Sequence, residues 1–72
     1  MAQRYLIKTP TSAAYKEDPK KVVIVPSGAF IDVPLPFNGV QGLIEVAFNG
    51  ETVLMFARDV RRRGKAVRPG AA

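Results

Sequence analysis

Two apolar runs on either side of Asn49-Gly50 give the clearest structural signal in this chain. Leu43–Phe48 and Glu51–Phe56 are rich in β-branched and aromatic residues, and Asn-Gly between two such runs is typical of a type I′ hairpin turn. The turn fixes the predicted register: Phe48 opposite Glu51, Val46 opposite Val53 and Ile44 opposite Met55. These pairs share one face, which we expect to point into the core.

The other face of this predicted hairpin is also apolar, because it carries Leu43, Leu54 and Phe56. A lone small barrel would leave these side chains in water. Either the sheet bends or the register differs, or the face is a homo-oligomer interface. Leu35 and Phe37, in the proline-rich connection before the hairpin, join this candidate interface; the alternative for both is that they fold back over an open end of the core.

The first half of the chain predicts short strands. Residues 5–9 form a β-prone run stopped by Pro10, and residues 11–19 suggest a loop or one helical turn with Ser12 as its N-cap. Residues 21–25 and 29–33 fit a second hairpin around a three-residue loop at 26–28, with Val25 facing Ala29. A longer loop with a shifted register is the alternative.

The C-terminal part begins with a predicted short helical or 3₁₀ turn near residues 59–63. Asp59 is a suitable N-cap, Val60 would point inward and Gly64 would end the turn. The remaining residues predict a short strand or a loose tail. We expect one domain over residues 1–68 and a frayed tail over residues 69–72.

This order of elements predicts an all-β fold, a small five-stranded β-barrel. It resembles SH3-like barrels, in which a 3₁₀ turn usually precedes the last strand, and residues 53–60 carry most of the resemblance. Sm-like and OB-like barrels are the alternatives. Type II dihydrofolate reductases are tetrameric SH3-like barrels whose pore uses a Val-Gln-Ile-Tyr strand. Here Leu54 and Phe56 replace its two polar groups, which argues against that activity.

Composition limits the chemistry of this 72-residue chain, which contains no cysteine and no histidine. Zinc sites and Ser-His or Cys-His nucleophile pairs are therefore excluded, and we expect no metal, no cofactor and no catalytic residues. A pore between subunits that acts by positioning alone stays open. A small domain without disulfides often gains stability by oligomerising. We see no signal peptide or membrane span and expect a cytoplasmic protein.

The charge distribution is strongly polarised. Residues 1–57 carry five basic and five acidic side chains, whereas residues 58–72 carry six basic side chains against Asp59 alone. Guanidinium groups suit phosphate, so we predict that this segment contacts DNA, RNA or another polyanion. The candidate residues are Arg58, Arg61, Arg62, Arg63, Lys65 and Arg68. The alternative is a solvated, solubilising tail, or arginines paired with acidic groups on a neighbouring subunit. Aromatic residues, which single-strand binding usually needs, are scarce nearby, with only Phe56 close in sequence.

Overall fold

The computed structural model describes residues 2–35, 37 and 42–67. These residues form one antiparallel sheet of seven strands and one short helix. The elements are β1 (Ala2–Ile7), β2 (Thr11–Tyr15), β3 (Val22–Val25), β4 (Phe30–Pro34), β5 (Leu43–Phe48), β6 (Glu51–Phe56), α1 (Ala57–Arg63) and β7 (Gly64–Ala66). The strand order is β3-β2-β6-β5-β4-β1-β7, so β3 and β7 are the edge strands.

The first four strands share one continuous register. Leu6 lies opposite Phe30 where β1 pairs with β4, and Thr11 lies opposite Val25 where β2 pairs with β3. In both pairings the residue numbers of each opposed pair add to 36, so the same antiparallel alignment continues on both sides of a bend. Pro10 and Pro26 lie at this bend, where a residue without an N–H interrupts the ladder. Two long antiparallel segments are therefore each divided into two strands.

The Asn49-Gly50 hairpin is confirmed together with its register. Asn49 has φ 52° and Gly50 has φ 78°, the pair of positive values that a type I′ turn requires. Phe48 lies opposite Glu51, Val46 opposite Val53 and Ile44 opposite Met55. Val46, Val53, Met55 and Phe48 are buried and Ile44 packs against them. The predicted inward face of the hairpin is thus the core face.

The core also fixes the position of α1. Ala57 and Val60 are almost fully buried, whereas the intervening Arg58 is exposed. The backbone N–H of Ala57 donates to the Gly42 carbonyl over 2.9 Å, and the N–H of Gly64 donates to the Val60 carbonyl. The helix therefore packs at the end of β5–β6 that lies opposite the Asn49-Gly50 turn. Among the described residues α1 is the one helix, and with seven residues it is too short to cross a membrane.

The all-β prediction is confirmed, but the five-stranded barrel is not. Within the described residues the sheet has seven strands and is not closed into a barrel. The strand count differs because residues 11–15 form β2 and residues 64–66 form β7 in addition to the five predicted runs. The SH3-like assignment, which rested on five strands and a final 3₁₀ turn, stays a prediction.

Three local predictions were wrong. Residues 11–15 form β2 rather than a loop, because Thr11 and Ala13 alternate inward and pair with β3. Residues 26–28 do not close a hairpin, since β3 pairs with β2 and β4 pairs with β1. Asp59 is not the N-cap: the helix begins two residues earlier, after Phe56 in an extended conformation. Gly64 does end the helix, as predicted, and the frayed tail at residues 69–72 lies outside the described residues.

Candidate functional site

The helix α1 presents an arginine-rich face to solvent. Arg58, Arg61 and Arg62 are exposed, and Ala57 and Val60 are buried on the other side. Residues three and four apart lie on the same side of a helix, so burial of one side brings these three arginines together on the other. Four of the six predicted polyanion-binding residues, Arg58, Arg61, Arg62 and Arg63, therefore lie on this one short helix.

The exposed arginines of this face carry no acidic partner within the described residues. The salt bridges there join Arg4 to Asp32, Lys16 to Glu45 and Arg63 to Asp59. Arg58, Arg61, Arg62 and Lys65 take part in none of them. Of the predicted binding residues that the structure describes, only Arg63 has an acidic partner, Asp59 on the same helix. Pairing with acidic groups of a neighbouring subunit stays a prediction.

Arg63 differs from its neighbours because its guanidinium is held by the protein. Its Nη1 donates to the Pro10 carbonyl over 2.7 Å, and its Nε lies 3.9 Å from the Asp59 carboxylate. Its own carbonyl accepts a hydrogen bond from the Lys8 N–H over 2.6 Å. Arg63 thus fastens the end of α1 to the connection after β1 and has less freedom to meet a ligand.

The same contacts bring Lys8, a residue that the sequence analysis did not select, to the end of α1. Its side chain is exposed, as is that of Lys65 on β7. We define the basic surface as Arg58, Arg61, Arg62, Lys65 and Lys8. Strand pairing, rather than sequence proximity, places Lys8 there, so no local signal could have found it. Arg68, the remaining predicted residue, lies outside the described residues.

Charge is separated along the molecule. Gly50 at the hairpin tip and Ala57 at the start of α1 are six strand residues apart, a distance of roughly 20 Å. Beside the tip lies an open cleft of ≈ 810 Å³ that is lined by both acidic and basic side chains. Its lining consists of Tyr15, Lys16, Glu17, Asp18, Lys21, Gly50, Glu51 and Thr52. None of the predicted binding residues is among them, so this end attracts anions far less than the basic surface does.

The residues of the second predicted set, the candidate interface, differ in their exposure to solvent. Leu43 and Phe56 lie opposite each other and are 57% and 56% exposed, and Leu54 on the same face is half-buried beside Ala14. Phe37 packs edge-on against Tyr5, with ring centroids 5.7 Å apart, and contacts the core. It therefore folds back, as the alternative prediction held, while Leu35 is exposed.

Two further exposed residues extend this face. Val22 and Ile24 on β3 are 65% and 59% exposed and share the outer side of the sheet with Leu54, because β2 pairs with both β3 and β6. We define the outer apolar face as Val22, Ile24, Leu43, Leu54 and Phe56. Val22 and Ile24 were not among the predicted interface residues, because the predicted hairpin paired β3 with β4, whereas β3 pairs with β2.

Comparisons with protein-family models, curated proteins and solved structures found no match for this chain.

Proposed function

We propose that this domain is a non-catalytic module that binds nucleic acid through the basic surface. The observation that carries the proposal is the exposed arginine face of α1, which has no acidic partner among the described residues. Guanidinium groups bind phosphate oxygens with two parallel hydrogen bonds. A helix anchored by buried Ala57 and Val60 would present Arg58, Arg61 and Arg62 in a fixed arrangement, at lower entropic cost than a loose tail.

The charge balance of the rest of the molecule supports the same proposal. Two carboxylates elsewhere are paired, Asp32 with Arg4 and Glu45 with Lys16. The acidic residues of the cleft at the hairpin tip, Glu17, Asp18 and Glu51, share it with Lys16 and Lys21. The field outside the molecule is therefore dominated by the basic surface, and such a field steers polyanions toward it. The ligand would meet the α1 end first.

Fluorescence anisotropy with labelled single- and double-stranded DNA and RNA tests this proposal. If all five cations of the basic surface contact phosphates, log affinity falls against log salt with a slope of about −3.5 for single strands and about −4.5 for duplex. Affinity without salt dependence, or no binding at low salt, would contradict the proposal. Binding to heparin that equals binding to every nucleic acid would show a general polyanion module instead.

A second candidate function is self-association along β3, an edge strand of the sheet formed by the described residues, which carries Val22 and Ile24 of the outer apolar face. The Tyr15 N–H donates to the Lys21 carbonyl over 3.1 Å, so the backbone hydrogen-bonding groups of Lys21 point toward β2. Because antiparallel ladders alternate, Val22 and Ile24 point their N–H and C=O groups toward the open edge. Exposed apolar edge strands are sites of strand pairing between chains.

Self-association would use a two-fold axis at Val23, with Val22 of one copy opposite Ile24 of the other. Both residues would then contribute backbone hydrogen bonds and apolar contact at once. Pro26 has no N–H, so pairing would stop there. Sedimentation equilibrium at high protein concentration tests this candidate: a dimer mass that falls to monomer in Ile24→Lys supports it, and a strictly monomeric parent chain excludes it.

A further inference from the structure

An exposed phenylalanine lies on the sheet beside the basic surface. Lys65 on β7 lies directly opposite Leu6 on β1, and Leu6 lies directly opposite Phe30 on β4. Directly opposed residues point to the same side of a sheet. Lys65, Leu6 and Phe30 therefore form one row across the outer side of three neighbouring strands, with Lys65 and Phe30 two strand spacings apart, roughly 10 Å.

The row has the chemistry of a surface on which a base can stack. Phe30 is 51% exposed, Leu6 between the two ends is half-buried, and the Arg4 guanidinium lies 5.7 Å from the centre of the Phe30 ring. Arg4 is held in place by Asp32, whose Oδ1 lies 3.2 Å from Nε. A phenyl ring and a fixed guanidinium plane both stack on nucleobases.

The positive charge of this row is confined to one end. The Arg4–Asp32 pair is neutral as a whole, so the row is positive only at its Lys65 end. Lys65 follows α1 by two residues, and Arg61 and Arg62 lie in the last turn of that helix. If the phosphates of a nucleic acid strand followed α1 and Lys65, the bases of that strand would lie beside Leu6 and Phe30. A single strand can bind in this way because its bases are unpaired. A duplex keeps its bases paired and stacked, and it cannot offer one to a flat sheet face.

We infer that the ligand of the basic surface is single-stranded nucleic acid and that Phe30 is a base-stacking residue. This inference rests on the proposed function, since it needs phosphates held by α1 and Lys65. It adds a ligand class, and it assigns a binding residue 28 positions before Arg58 that strand pairing alone brings close. The sequence showed little aromatic character beside the basic segment because Phe30 is distant along the chain.

The test uses tryptophan as a reporter, because the natural chain contains none. In Phe30→Trp, titration with single-stranded oligothymidylate should quench the emission, and a duplex with the same number of phosphates should not. Pro19→Trp is the matched control: Pro19 is exposed in the turn between β2 and β3 and belongs to neither of the two defined surfaces, so the emission of a tryptophan there should be unaffected by either ligand.

Affinity measurements with Phe30→Ala complete the test. Single-strand affinity should fall about 5- to 150-fold, whereas duplex affinity should stay within about twofold, since phosphate contacts are unchanged. Phe30→Trp should retain single-strand affinity. Equal, salt-dependent binding of both ligands by all three proteins, without quenching, would overturn this inference and leave the proposed function standing. Failure of the parent chain to bind either ligand would overturn both.

Discussion

The junction between α1 and β7 has no room for a side chain at Gly64. A Cβ there would lie 2.7 Å from the Val60 carbonyl oxygen, with Ile7 Cδ1 and Tyr5 Cδ2 each at 3.4 Å. The backbone of Gly64, with φ −118° and ψ 160°, is extended and open to any residue. The obstacle to alanine is therefore steric, and the nearest atom belongs to the backbone, which cannot rotate away as a side chain can.

The size of the effect follows from two opposing contributions. Forcing an extra carbon into a packed site costs about 1–3 kcal/mol, whereas a tolerated glycine-to-alanine change stabilises by about 0.4–1 kcal/mol through the unfolded state. We expect Gly64→Ala to lose roughly 1–2 kcal/mol. A domain of this size has only about 4–11 kcal/mol of stability, so Tm should fall by several degrees, at about 4–8 °C per kcal/mol.

Thermal and urea unfolding followed by circular dichroism measure this loss, with Gly50 as the comparison. A Cβ at Gly50 would meet nothing within 4 Å, but its φ of +78° is strained for alanine. Asparagine tolerates that conformation better than alanine, so Gly50→Asn should recover much of the stability lost in Gly50→Ala. Gly64→Asn should recover none. A Gly64→Ala protein as stable as the parent, or more stable, would refute the close approach of α1 to β7.

Further predictions concern the helix anchor, an exposed ion pair and the outer apolar face. Val60→Ala should cost about 2 kcal/mol in urea unfolding, from two buried carbons at about 0.8 kcal/mol each plus a small cavity; a loss near zero would mean that Val60 does not anchor α1. Arg4→Ala should cost less than about 1 kcal/mol, because both partners of the Arg4–Asp32 pair are substantially exposed, and a larger loss would contradict this. Val22→Lys should leave the melting temperature nearly unchanged, since the side chain is exposed, and should lower any dimer mass seen by sedimentation, because Val22 lies opposite Ile24 of the second copy in the proposed pairing; a stable dimer in this variant would exclude the β3 edge as the interface.

The predictable parts of the fold are those decided by neighbouring residues. The Asn49-Gly50 turn needs two positive φ values that few other dipeptides supply, and once it forms, every pair between β5 and β6 follows. The end of α1 at Gly64 could also be predicted from neighbouring residues. In both cases the deciding residues lie within a few positions of one another.

Long-range pairing decided the parts that sequence analysis missed. Residues 11–15 contain two alanines and a serine, a composition with weak β-propensity, and they become a strand because β3 and β6 pair with them on both sides. Residues 26–28 look like a hairpin loop, but the continuous register with residues 2–15 replaces that pairing.

The same distinction applies to the site. The arginines of α1 are adjacent in sequence and were predicted as a group, whereas Lys8 and Phe30 reach the α1 end only through strand pairing. No pattern in the sequence indicated that the Arg63 guanidinium would donate a hydrogen bond to the Pro10 carbonyl. A basic cluster can be recognised in sequence, but which of its members stay free for a ligand depends on the tertiary contacts.

The most direct measurement of the central claim compares two charge-matched double variants in a salt titration of single-strand binding. Arg61→Ala/Arg62→Ala removes two exposed cations from α1, and Lys20→Ala/Lys21→Ala removes two exposed cations beside β3, so both proteins have the same net charge. We predict that the α1 variant loses affinity and that its log–log salt slope becomes shallower by about 1.4, while the lysine variant keeps the parent slope. Equal losses in the two variants would contradict the claim, because binding would then follow net charge rather than the arginine face of α1.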